Sequence, residues 1–77
     1  MGAQKSHATR RILARNVRRL RLARKWSQEE LAAAASLHQV QVSKIESANN
    51  NTSVDVLQRL ARALGAPVAE LFAEGGR

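Results

Sequence analysis

The sequence has 77 residues and a mass of 8.4 kDa, enough for one small domain and too few for a second. Thirteen Lys and Arg against six Asp and Glu give a net charge of +7, and cysteine is absent, which excludes disulfides, thiolate zinc sites, cysteine nucleophiles and thiol redox switching. A chain this short buries only about 60–65% of its unfolded surface, so it needs close helix packing or a partner subunit.

The charge is unevenly placed. Residues 1–25 hold nine bases and no acid, whereas residues 26–77 hold four bases and six acids. Such a field favours a polyanion, either nucleic acid or an anionic membrane surface. A merely solvated face is the alternative, but nine uncompensated bases repel one another and gain nothing for the isolated domain. No stretch approaches the ~20 apolar residues of a membrane span, and the N-terminus lacks the apolar core of a signal peptide. Met1-Gly2-Ala3-Gln4-Lys5-Ser6 fits a myristoylation pattern that fixes only two positions, and the acceptor sequences around Asn50 and Asn51 need a secretion signal. Neither carries the argument further.

In chain order, residues 1–8 read as a loose basic arm. Leu13, Val17 and Leu20 recur at spacings of four and three, which predicts a first helix from about Thr9 to Lys25 with its arginines largely on the other faces. Ser27-Gln28-Glu29-Glu30 is a capping box that opens a second, alanine-rich helix over Gln28 to Ala35. Ser36-Leu37-His38 leaves room only for a tight turn before a third helix from about Gln39 to Ser47. Val42, Ile45 and Glu46 share one face of it with His38, while Gln39, Val40, Ser43, Lys44 and Ser47 spread over the other. That outward face carries amides, hydroxyls and an exposed valine, an odd choice if it only had to be soluble. Ser53 caps a fourth helix with the apolar stripe Val54, Leu57, Leu60, Ala61 and Leu64, and Gly65 ends it. Pro67 opens a short fifth helix with Val68, Leu71 and Phe72 on one face, and Gly75-Gly76 begins a disordered tail over 75–77. The globular unit is residues 9–74, and it is all-α.

Catalysis has little to work with. His7 and His38 are the only histidines, there is no thiol or tyrosine, and Glu29 and Glu30 are already used by a capping box. His38 reads as a helix cap or phosphate contact, and no enzyme activity, cofactor or metal is expected. Single-strand binding needs aromatic platforms, and only Trp26 and Phe72 are present, both at core positions. RNA-binding sheet modules need strands. A helical reader of duplex DNA remains: helix 2, turn and helix 3 have the length of a helix-turn-helix, and Gln39, Lys44 and Val40 can meet adenine, guanine and the thymine methyl respectively.

Four blocks carry a resemblance: Asn16-Val17-Arg18-Arg19-Leu20-Arg21, Ser27-Gln28-Glu29-Glu30-Leu31-Ala32, Val42-Ser43-Lys44-Ile45-Glu46 and Leu60-Ala61-Arg62-Ala63-Leu64-Gly65. In order and close to spacing, they resemble the Cro/lambda-repressor-like (xenobiotic-response-element) helix-turn-helix family, which includes restriction-modification controller proteins. The match covers about residues 12–73. It implies a compact five-helix lambda-repressor-like domain with its helix-turn-helix at helices 2 and 3, acting as a transcriptional regulator in the cytoplasm on the nucleoid. Gln28 looks like the family's phosphate-clamping glutamine, and Gln39 like the glutamine that reads a base, with Val40, Ser43 and Lys44 beside it. Arg21 and Glu46 match a structural ion pair, and Asn51 a loop residue that touches phosphate. Arg18, Arg19 and His38 are further phosphate candidates.

The resemblance also implies a homodimer on a palindromic operator, with recognition helices about 34–36 Å apart. Val68, Leu71 and Phe72 of helix 5 are the candidate dimer surface, ordinary core burial being the alternative. A protein-binding module such as an antitoxin, or a basic membrane binder, are the competing functions. Three departures stand out. Ser36 holds the turn position usual for glycine, Ser47-Ala48 lacks the glycine that ends the recognition helix, and Asn50 and Thr52 replace a common Arg and Pro. Helix 3 is accordingly expected to run on slightly, with fewer phosphate contacts from the loop.

Overall fold

In a computed structural model, which describes residues 2–49 and 51–74 with side chains from His7 onward, five helices follow one another: α1 (Gly2–Ala23), α2 (Gln28–Ala35), α3 (Gln39–Glu46), α4 (Val54–Leu64) and α5 (Val68–Leu71). No strand occurs among the described residues. The expected tail at 75–77 and the replacement at Asn50 lie outside them.

One core joins all five helices. Leu13 and Val17 of α1, Leu31, Ala32 and Ala35 of α2, Val42 and Ile45 of α3, Leu60, Ala61 and Leu64 of α4 and Leu71 of α5 form a single buried cluster. Each large aliphatic side chain in it contributes about 1.5–3 kcal/mol by leaving water. The alanines of α2 let α3 and α4 both pack closely on that short helix. Leu20, Trp26, Leu37, Leu57, Val68 and Phe72 pack around the rim.

Local signals explain the boundaries. The Ser27 hydroxyl accepts from the Glu30 N–H at 3.0 Å and the Glu30 carboxylate from the Ser27 N–H at 2.7 Å, completing the capping box. Ser53 accepts from the Val56 N–H at 3.1 Å and starts α4. Four helix ends share one closure: the N–H groups of Trp26, Leu37, Asn49 and Ala66 reach back five residues to the carbonyls of Arg21, Ala32, Lys44 and Ala61. The residue before each donor is left-handed, namely Lys25 (φ 60), Ser36 (φ 58), Ala48 (φ 60) and Gly65 (φ 68).

Two expectations need correction. First, α1 begins at Gly2 rather than Thr9, so the segment expected as an arm is helical over residues 2–8. The apolar stripe used to place the helix starts only near Leu13, and a helical extension with no buried face leaves no periodic signal. Second, α3 does not run on for lack of glycine. It ends at Glu46 because Ala48 takes the left-handed conformation itself. Ser36 likewise adopts the positive φ at the turn.

Candidate nucleic-acid interface

The helix-turn-helix is α2, the turn at Ser36–His38, and α3. Helix α3 lies against both α1 and α2 and buries Val42 and Ile45 completely or nearly so. The opposite face is presented outward: Gln39, Val40 and Lys44 are exposed, Val40 at 57%, and Ser43 is half-buried. All four expected base-facing residues therefore share the solvent side of one short helix. His38 stands exposed before α3 instead of joining the buried face, and its N–H donates to the Gln41 side chain at 3.0 Å.

Beneath that face runs a polar relay. The guanidinium of Arg21 donates from Nε to Glu46 Oε2 at 2.6 Å and from Nη2 to Oε1 at 3.0 Å, the paired geometry that suits Arg and carboxylate. Both side chains are nearly enclosed, at 10% and 5% exposure. Hydrogen bonding to Glu46 is the main reason the Arg21 pKa is raised; burial opposes it, and the carboxylate charge adds to it. Arg21 also donates to the Trp26 carbonyl at 2.7 Å, which ties the α1–α2 connection to the same group. Glu46 then accepts from Gln28 Nε2 at 3.2 Å, and Gln28 Oε1 accepts from Gln39 Nε2 at 2.8 Å. The expected ion pair and two expected DNA-contacting glutamines are thus one connected chain, which the spacing of residues in the sequence does not reveal.

Other candidates separate. Arg18 is exposed along a cleft whose far wall is Ser47 and Ala48, at the end of α3. Arg19, its neighbour in sequence, instead pairs with Glu70 of α5 at 3.7 Å and donates to Asn16 at 3.3 Å. It is better placed to link α1 to α5 than to hold a phosphate. Asn51 is exposed and its side-chain oxygen accepts from Arg10, so the α3–α4 loop is tethered to α1. Leu71 is fully buried within the single chain and cannot face a partner, whereas Val68 and Phe72 remain half-buried. The side-chain N–H of Asn16 donates to the carbonyls of Leu71 and Ala73, 2.9 Å each, and so fixes α5 from inside the core. Asn16 sits three residues after Leu13 in an apolar register, and that polar intrusion was the available signal for it.

The helix-turn-helix family HTH_3 matches residues 17–71. The chain belongs to that family. It is a family of DNA-binding transcription regulators, as the four sequence blocks implied. Control protein C.BamHI of Bacillus amyloliquefaciens is 35% identical over 64 residues, covering 82% of this chain and 79% of that protein. A hypothetical transcription factor of Neisseria meningitidis is 37% identical over 63 residues, covering 82% of this chain but only 59% of its own length. The crystal structure of a hypothetical transcription factor, NHTF, from Neisseria superposes with a TM-score of 0.82 at 35% identity, over 84% of this chain and 75% of that one. The restriction-modification controller protein C.AhdI of Aeromonas hydrophila superposes with a TM-score of 0.81 at 34% identity, over 84% of this chain and 98% of that one. The five-helix arrangement is therefore the HTH_3 fold, and no helix among the described residues is long and apolar enough to cross a membrane.

Proposed function

We propose that this HTH_3 chain regulates transcription by binding a short palindromic operator as a homodimer. Gln39 reads a base, Val40, Ser43 and Lys44 line the same groove, and Gln28, Arg18, His38 and Asn51 hold the flanking phosphates. The observation that carries this reading is Gln39 itself, exposed at the start of α3 yet held by Gln28, so its free amide edge is oriented before DNA arrives. Orientation in advance lowers the side-chain entropy lost on binding. Half-buried Val68 of α5 and Phe72 at its C-terminal cap support a pairing surface away from α3, and the named controllers among the relatives support a regulatory role.

The test is selection of bound duplexes from a random pool at physiological salt, where non-specific phosphate binding is suppressed. Recovery of a short palindrome is expected, together with sedimentation as a dimer at micromolar concentration. Recovery of no motif would refute operator recognition. Sedimentation as a monomer both alone and on the recovered site would refute the dimer.

A further inference from the structure

The arginines of α1 and of the turn that follows it fall into two groups. Arg10, Arg19, Arg21 and Arg24 each have a partner within the protein: Asn51, Glu70, Glu46 and the Leu64 carbonyl respectively. Arg11, Arg15 and Arg18 form no hydrogen bond or ion pair among the described residues, although all are exposed. These three are not scattered. With His7 they line one wall of a single open cleft, and the opposite wall is Glu46, Ser47 and Ala48 at the end of the recognition helix, the Glu46 carboxylate being already taken by Arg21. Their positions advance by four, four and three residues, which keeps them on one side of the helix. No acid precedes Gln28 in the sequence to neutralise them.

We infer that this stripe is a second DNA-binding surface, which takes the sugar-phosphate backbone outside the base-reading half-site and lengthens the footprint. The inference rests on the operator-binding reading above and extends it from Arg18, already given a flanking phosphate there, along α1 to Arg15, Arg11 and His7. At 1.5 Å per residue, His7 to Arg18 spans about 16 Å along α1, close to the axial rise of five phosphates on one strand. Three uncompensated guanidinium groups in line repel one another in the free protein, and that repulsion is relieved by a polyanion. A membrane surface has the same charge, but an interfacial helix must also bury an apolar face in lipid. The apolar face of α1, Leu13 and Val17, is already closed in the core. Leu22 is exposed at the end of the stripe's own side, but a single side chain does not make an apolar face for lipid, so duplex DNA fits the stripe. The helical extension of α1 back to Gly2 gives His7 its place on it.

The test compares the full chain with the triple variant Arg11→Ala/Arg15→Ala/Arg18→Ala on the selected duplex, as a function of salt and of duplex length. Alanine keeps the helix, and far-UV circular dichroism with a thermal melt checks that the fold is retained. At about 0.9 per phosphate, the slope of log affinity against log salt becomes shallower by about 2.7 per protomer. Wild type should then lose roughly 40-fold more affinity per protomer than the variant between 50 and 200 mM salt. Trimming the duplex outside the recognised palindrome should weaken wild type and leave the variant unchanged, while both keep the same base preference. A control, Lys25→Ala/Arg62→Ala, removes charge elsewhere. If it flattens the slope as much per charge, the stripe is only part of the net field and the inference fails. It fails also if trimming affects wild type and variant alike, or if wild type prefers phosphatidylserine vesicles to duplex and the variant loses that preference. Absence of any base preference in wild type is a separate result, and would overturn the operator reading together with the placement of the stripe.

Discussion

Gln39 donates from its side-chain amide to Oε1 of Gln28 at 2.8 Å, joining the first residue of α3 to the first residue of α2. The direction of that bond is set from inside the protein. Arg21 can only donate, so Glu46 beside it acts as acceptor, and Glu46 in turn requires the NH2 of Gln28 at 3.2 Å. Oε1 of Gln28 is then left to accept from Gln39. Gln39 keeps its own Oε1 and one N–H, the acceptor and donor that match N6 and N7 of adenine. The buried ion pair thus dictates which edge of an exposed glutamine is turned outward.

Gln39→Ala is expected to weaken binding to the selected site by about 1–3 kcal/mol and to relax preference at one base pair. Competition with duplexes substituted one base at a time reads this directly. If the preference profile stayed that of wild type, Gln39 would be removed from the recognition face.

The Arg21–Glu46 pair should be far more sensitive to losing one partner than to losing both. Arg21→Met leaves a carboxylate that is 5% exposed with only a neutral amide beside it, an expected loss of about 3–5 kcal/mol. In a domain of this size each kcal/mol moves Tm by about 4–8 °C, so the melt should fall by on the order of 20 °C. Arg21→Met/Glu46→Leu should recover most of that, because no unpaired charge remains. The pH dependence follows from the sign of the shift. A raised pKa gives stability that is fully present below the unfolded value and lost only as pH rises through the folded one. For an arginine both lie in strongly alkaline solution, so Arg21 contributes no pH dependence near neutrality. Urea unfolding at several pH values checks both points, and a double variant as unstable as the single would contradict the account.

Most of the fold was legible because its signals are local: the capping box at Ser27, the cap at Ser53, the glycine at Gly65 and the α4 stripe at Leu57, Leu60, Ala61 and Leu64 all lie where the helices begin, end or pack, whereas Val54, expected on that stripe, is exposed in the first turn. The outward face of α3 was legible too, since Val42 and Ile45 fix its phase. What escaped has no local signature. The Gln28–Gln39 bond spans 11 residues, the Asn16 bond to Leu71 spans 55, and each depends on how helices meet. The start of α1 escaped because nothing apolar marks it. For Leu71 the sequence left pairing and core burial both open, because a single apolar stripe does not say whether its contacts come from the same chain or another; the structure buries it within the chain.

The three left-handed residues that are not glycine make a prediction of opposite sign to most substitutions. A residue with a Cβ at positive φ costs about 1–2 kcal/mol relative to its ordinary conformations, and glycine gives back part of that gain through its freer unfolded chain. Ser36→Gly is therefore expected to raise stability by about 0.5–1 kcal/mol, since Ser36 is exposed and its carbonyl still accepts from Arg59 at 3.1 Å. Ala48→Gly should gain less because Ala48 is half-buried. Gly65→Ala is the converse. Its new Cβ would lie 2.7 Å from Arg24 Nη2 at φ +68, so Arg24 must move and the backbone is strained, an expected loss of about 1–2 kcal/mol. Thermal melts of the three variants give the ordering, and a Ser36→Gly chain less stable than wild type would show that the turn gains something from the serine.

Asn16 is the fully buried polar side chain that holds α5, a helix of four residues with no side-chain cap of its own. A helix so short is not stable alone, so its position depends on Leu71 in the core and on the two carbonyls that Asn16 satisfies, those of Leu71 and Ala73. Asn16→Leu fits the apolar register of α1 but strands both carbonyls, and the expected cost is about 2–4 kcal/mol despite the gain in hydrophobicity. Arg19 then loses its hydrogen bond to Asn16 and keeps only the exposed pair with Glu70, worth little by itself. Under the proposed pairing through Val68 of this helix and Phe72 that caps it, the variant should also dimerise more weakly while the isolated chain still binds duplex DNA. Sedimentation and duplex binding on the same sample separate the two effects. A variant with lowered stability but unchanged self-association would place the pairing surface elsewhere than on α5.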